Sequence, residues 1–210
     1  MRMAPSFHLL EHALARVHLT ALRDEQTQTD LFRWHLSRLA GLLFSEAARD
    51  IETHTVQVQT PIALTIGHQV SRPIILAPIL RAGLGLADGI LPHVPKAVVA
   101  HIGICRNEET AQPESYYAKL PSFLADAEVF VLDPMLATGG SAVEAVRQLK
   151  AAGAMRLKLV CVVSAPPGIA NFQAAHPDVP IFTAAVDEGL NERSYIVPGL
   201  GDAGDRYFGT

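Results

Sequence analysis

Five near-continuous apolar runs, at residues 74–80, 98–104, 129–132, 157–163 and 181–185, constrain this chain more than any other feature. A strand with one wet face alternates apolar and polar residues, whereas an uninterrupted apolar run fits a strand covered on both faces. Helical patterns lie between several of the runs, at 84–91, 141–152 and 168–176. Strand alternating with helix through short connections predicts an α/β fold, a doubly wound parallel sheet with right-handed crossovers. Such sheets bind ligands at the carboxyl ends of their strands. A chain of 210 residues, 49% of them hydrophobic, has material for one substantial core. At this size roughly 70% of the unfolded surface is buried, so a single domain over 1–210 is expected.

The N-terminal part reads differently. Residues 1–30 are polar and irregular, and are expected to form an arm. Thr27 with Asp30 reads as a capping pair that opens a helix. Leu31, Trp34, Leu39, Leu42 and Leu43 then recur at helical spacing, and Glu46, Arg49 and Asp50 close the stretch. From Thr55 to Thr60 apolar and polar residues alternate strictly, which predicts a strand with one wet face. Paired with 62–66, it makes a hairpin arm at about 55–66.

Charge and hydropathy exclude whole classes. With 17 Lys+Arg against 21 Asp+Glu the net charge is −4, and no basic stripe marks a nucleic-acid-binding face. The apolar run at 74–80 is far shorter than the ~20 residues that a membrane span needs. Arg2, His8, Glu11, His12 and Arg16 break up any leader-like apolar stretch. Cys105 and Cys161 each sit in an apolar run and read as buried free thiols. Together these readings predict a cytoplasmic protein with neither membrane nor nucleic-acid partners. The histidines read as surface or hydrogen-bonded structural residues, and no catalytic Ser/His/Asp or Cys/His set is indicated.

The strongest motif runs from Val129 through a strand to Asp133, and on through Pro134, Met135, Leu136, Ala137, Thr138, Gly139, Gly140 and Ser141 into a helix. Two hydroxyls and a row of unblocked amides at a helix N-terminus suit a phosphate, since orphan N–H groups and the helix dipole both favour an anion. Asp133 would repel that phosphate but suits the hydroxyls of a ribose. Without a Gly-Lys-Ser/Thr the loop is not a P-loop. The plainer alternative is an ordinary strand–turn–helix with a glycine turn. Arg81, in Pro78-Ile-Leu-Arg-Ala-Gly-Leu-Gly85, sits at another strand end and suits a pyrophosphate through its planar fork. Read blandly, it is an exposed Arg before a turn. Gly83, Gly85 and Gly89 lack the G-x-G-x-x-G spacing. Residues 195–210 hold glycines, aspartates and aromatics, a poor composition for a disordered tail.

Asp133-Pro-Met-Leu-Ala-Thr-Gly-Gly-Ser141 resembles the signature of the type I phosphoribosyltransferases, and Pro134 places it nearest the uracil phosphoribosyltransferases. The segment 195–210 resembles their base-binding end. The resemblance implies a doubly wound sheet with a hood at about 106–122 and a base-binding segment at about 186–210. It implies transfer of the 5-phosphoribosyl group from 5-phosphoribosyl 1-pyrophosphate (PRPP) to uracil, giving UMP and pyrophosphate with Mg²⁺ as cofactor. Arg81, Asp133 and Asp202 are implied in catalysis. Arg81, Arg106, Asp202 and the run Asp133–Ser141 are implied in PRPP binding, with Asp202 near the metal. Ile196, Gly201, Asp202 and Ala203 would read uracil, and Tyr116, Tyr117 and Lys119 match a mobile hood. A homodimer or higher assembly, and GTP as effector, are properties of some relatives.

Val17-His18, Cys105, Asn107 and Tyr207 depart from the family pattern. Two other functions keep the same sugar-phosphate site: a pyrimidine-nucleotide sensor acting on nucleic acid, and a phosphoribosyltransferase for another base.

Overall fold

The apolar runs become the strands of one sheet in the computed structural model, which describes residues 7–106 and 113–210. The chain runs through β1 (Phe7–Leu9), α1 (Ala13–Arg23), α2 (Thr29–Ala47), β2 (Thr53–Gln59), β3 (Leu64–Val70), β4 (Ile74–Leu80) and α3 (Gly83–Ile90). It continues through β5 (Val98–Val99), β6 (Ile102–Arg106), β7 (Pro113–Ala118), β8 (Glu128–Leu132), β9 (Met135–Leu136) and α4 (Gly140–Ala151). The last elements are β10 (Arg156–Ser164), α5 (Pro166–Ala175), β11 (Ile181–Val186), β12 (Gly189–Leu190), β13 (Ile196–Val197) and α6 (Ala203–Phe208).

The main sheet has the order β1-β11-β10-β8-β4-β6-β7, with β5 added to β4 and β9 to β10. Its pairs are parallel except β6 with β7. Successive residues of each central strand face opposite layers, as strand geometry requires. Leu76, Phe130, Leu132, Val160 and Val162 face α2 and α3, where Phe32, Leu36, Leu39 and Leu86 complete one core. Ile75, Val129, Val131, Leu159 and Cys161 face the other way, against Ala145, Val146 and Leu149 of α4 and Phe172 of α5. Both faces are covered, which is why these strands carry no polar alternation. Cys161 is buried and free.

Several expectations need correction. Residues 7–30 are not irregular: β1 pairs with β11, and α1 buries Ala15, Leu19 and Leu22. Thr27 and Asp30 do not cap α2. Gln28 is the N-cap without a side-chain bond, and the Thr27 hydroxyl instead donates to Ala21 O at 2.6 Å. The run 98–104 splits because the chain leaves the strand at Ala100 and His101, with Ala100 N donating to Leu76 O at 2.8 Å. The hairpin exists, but its second strand is β3, reaching Val70 and closed by a turn at Thr60–Ala63. It stands off the main sheet with both faces exposed, including Ile62, Leu64 and Ile66, so the expected single wet face is not found.

Candidate active site

The carboxyl end of β8 builds the site. Asp133 N donates to Val160 O at 3.1 Å, and Pro134 O accepts from both Val162 N and Val163 N at 3.0 Å. Met135 and Leu136 then pair with Val163 and Ser164, so a short strand stands where the sequence reading placed an immediate loop. At Gly139 the backbone turns left-handed, φ +82°, and α4 begins with no side-chain cap on its first amides. A Cβ there would lie 2.8 Å from Gly168 O. Only glycine meets both demands. From below, Asn171 Nδ2 holds Thr138 O at 2.9 Å. Sequence reasoning missed Gly168 and Asn171, which belong to an adjacent helix and carry no motif of their own.

Asp133 is partly exposed, yet enough protein surrounds it that lost hydration pushes its carboxyl up to about 7. A weak bond from Met135 N, at 3.4 Å, opposes that rise.

A cleft of about 530 Å³ opens beside the loop. Met135, Ala137, Thr138, Gly140 and Ser141 line one wall; Arg193, Ser194, Tyr195, Ile196 and Asp202 line the other. The 135–141 loop and the C-terminal segment therefore face one another across the cleft. Arg193, Ser194 and Tyr195 fall within the expected base-binding segment, though none was singled out as a site residue. Their shape comes from Asn191, whose Oδ1 accepts from Arg193 N at 3.0 Å and Tyr195 N at 2.9 Å. Asp202 Oδ1 accepts from Asp205 N at 2.9 Å, capping a helix that the glycine-rich composition concealed. Ile196 and Ala203 are buried, and of the two only Ile196 lines the cleft.

Arg81 and Asp133 are not lining residues of this cleft. Arg81 bonds Asp205 at 3.0 Å and lies over the Phe208 ring, which ties it to the helix that Asp202 caps. Tyr116 and Tyr117 are exposed on β7, a strand at the sheet edge, and Lys119 N donates to His101 O at 3.2 Å. Arg106 ends β6, but its side chain lies outside what is described, as do the Cys105 side chain and residues 107–112 with Asn107. Tyr207 donates to Asp88 Oδ2 at 2.5 Å. Burial and that carboxylate raise its phenol above the ordinary range.

A doubly wound sheet carries a strand–loop–helix at its carboxyl edge and a C-terminal wall across the cleft, the arrangement that the resemblance to the phosphoribosyltransferase class implied. The family model described as "Uracil phosphoribosyltransferase" matches residues 9–210. The chain belongs to the uracil phosphoribosyltransferase family. It is 51% identical over 205 residues to a uracil phosphoribosyltransferase of Streptococcus agalactiae serotype III (strain NEM316), covering 97% of this chain and 98% of that one. With that of Streptococcus salivarius it is 50% identical over the same shares. Among solved structures, the AQ2163 protein from Aquifex aeolicus superposes with a TM-score of 0.91 at 37% identity, over 96% of this chain and 97% of that one. Among the described residues, no helix is long and apolar enough to cross a membrane.

Proposed function

We infer that the protein is a pyrimidine-salvage enzyme that joins uracil to the ribosyl group of PRPP, releasing pyrophosphate and UMP. The observation that carries this reading is the family match over 9–210, which includes both walls of one cleft. The bond between the anomeric carbon and pyrophosphate breaks with its electron pair going to the leaving group, and the uracil nitrogen makes the new bond as its N–H proton is given up to water. Such a reaction needs placement and charge stabilisation more than covalent help. In this reading Thr138–Ser141 grip the 5-phosphate and Asp133 accepts hydrogen bonds from the ribose hydroxyls. Arg81 and Arg106 meet the pyrophosphate. Ile196 and the backbone of Gly201, Asp202 and Ala203 hold uracil. Tyr116, Tyr117 and Lys119 belong to the hood over the sugar.

The donor set fits a Mg²⁺ carried by substrate. Among the described residues no three His, Cys, Asp or Glu side chains gather to cage a cation. Mg²⁺ commonly keeps several waters and binds through substrate phosphates plus one or two carboxylates. Asp202, whose Oδ1 is used as a helix cap, would approach it with its other oxygen. When bound, the ion neutralises charge on the leaving pyrophosphate.

A single domain with arm, hairpin, hood and base-binding segment is part of the proposal. So is assembly into a homodimer or larger through the hairpin, supported by its exposed Ile62, Leu64 and Ile66. A cytoplasmic setting is supported by the free thiol of Cys161. GTP activation rests on the family resemblance alone.

UMP formation from uracil, PRPP and Mg²⁺ tests the reading, and EDTA should abolish it. Binding of PRPP without product from any base would instead favour a nucleotide sensor.

The protonation of Asp133 gives a pH prediction. A protonated carboxyl is a poorer acceptor for two ribose hydroxyls, and its midpoint stands at about 7. Thus kcat/KM for PRPP should climb with pH along an acid limb centred near that value. Asp133→Asn should lower the plateau and erase this limb, leaving only the titration of PRPP itself. The same raised acidity has a stability consequence in the unliganded protein. Stability falls as pH rises from the ordinary 3.8 towards about 7, because the unfolded chain gives up its proton first.

A further inference from the structure

The end of α1 holds a buried ion pair that the reaction does not use. Arg23 donates to both oxygens of Asp187, Nη1 to Oδ2 at 2.9 Å and Nη2 to Oδ1 at 2.5 Å, although 164 residues separate them. The Asp187 side chain is only 4% exposed, and Arg23 25%. Replacing such a pair by apolar residues is often neutral or stabilising, so its presence is weak support for a stability role. What the pair grips is more informative.

Both backbone hydrogen-bonding groups of Gly199 are taken up by it. Gly199 N donates to Asp187 Oδ2 at 2.9 Å, and Gly199 O accepts from Arg23 Nη1 at 2.7 Å. Gly199 adopts φ +62°, and a Cβ on it would lie 2.2 Å from Ile196 O. The next carbonyl is held from the same place: Arg206 Nη1 donates to Leu200 O at 2.9 Å and also to Leu22 O, while its Nη2 reaches Asp24 O at 2.5 Å. Residues 22–24 are thus a template on which the chain entering Gly201–Ala203 is fixed. On the other side, Asp187 N is anchored to Ser164 O at 2.9 Å, at the end of β10.

We propose that Arg23 and Asp187 are positioning residues for base recognition, clamping Gly199 so that the Gly201–Ala203 backbone meets uracil in register. Among the described residues the side chains of the pair bond each other and Gly199 and no cleft-lining residue. The PRPP wall is held by different contacts: the bonds of Pro134 and Asn171 and the close approach of Gly168. This inference rests on the proposed function and adds that base affinity and sugar-donor affinity are supported separately.

Steady-state kinetics of Arg23→Gln, with each substrate varied in turn, tests it. A lost charge-assisted hydrogen bond corresponds to a factor of about 10–100. The KM for uracil should rise by about that factor, while the KM for PRPP stays within about twofold. Arg23→Lys should recover part of the uracil affinity, since it keeps the charge without the fork. Lys158→Gln serves as the stability control, because Lys158 bonds Ala47 O and Asp50 away from the cleft. It should lower the melting temperature without moving either KM. Parallel shifts of both KM values in Arg23→Gln, or a lower melting temperature with unchanged uracil KM, would overturn the positioning role alone. Absence of UMP from the unaltered protein would overturn the functional reading and this inference with it. Should Arg23→Gln fail to fold, Arg23→Lys carries the same comparison.

Discussion

Uracil should be used with a kcat/KM at least about 10⁴-fold above that for cytosine, the scale reached when a site built to hydrogen-bond its substrate meets mismatched groups. Cytosine presents an amino group where uracil has the 4-carbonyl, and a bare nitrogen where uracil has N3–H. A wall that could rotate its donors and acceptors would forgive that exchange. This wall has little such freedom. Asp202 is committed as the cap of α6, Ala203 is buried, and the carbonyls of Gly199 and Leu200 are each held by an arginine. Backbone amides cannot become acceptors, so a mispaired edge leaves polar groups desolvated without partners. Parallel assays for UMP and CMP over a wide range of base concentration check this. A ratio under about 100 would mean that Gly201–Ala203 do not read the edge of the base.

How much of this was legible in the sequence depended on whether the determinant was local. The central strands announced themselves because burial on both faces demands apolar residues at every position. The run at 74–80 became β4 without change. The strand–loop–helix after Val129 was legible for a similar reason: its glycines, hydroxyls and helix start are adjacent in sequence. α1 was not legible. Its buried face is only Ala15, Leu19 and Leu22, while Leu14 and Val17 point to solvent and blur the period. α6 was hidden by the glycines that precede it, although Asp202 followed by Asp205 carries a capping signal in retrospect. Within the expected base-binding segment, the turn at Arg193–Tyr195 was not legible because it is shaped by one Asn191 side chain. The Arg23–Asp187 pair depends on tertiary placement, which no local pattern records.

Arg81→Ala should cut kcat/KM for PRPP by roughly 10²–10⁴. Two charge-assisted hydrogen bonds to pyrophosphate, at about 1.5–3 kcal/mol each, sum to about 3–6 kcal/mol, and each 1.4 kcal/mol is a factor of ten. The loss should fall on function and spare the fold. In the unliganded protein the Arg81 side chain is 57% exposed and its partner Asp205 49%, joined at 3.0 Å. Exposed pairs of this kind are worth about 0–1 kcal/mol, so the melting temperature should barely move. That weakness suits the role: the guanidinium can leave Asp205 for pyrophosphate at small cost. Asp205 keeps other bonds when it does, since its N–H still donates to Asp202 and its Oδ1 still accepts from Thr210. Arg81→Lys should restore only part of the activity, because an ammonium supplies the charge without the paired, coplanar donors. Kinetics at varied PRPP, together with thermal melts of all three proteins, separate these effects. A loss under tenfold in Arg81→Ala, or a loss matched by a fall in melting temperature, would move the pyrophosphate contact away from Arg81.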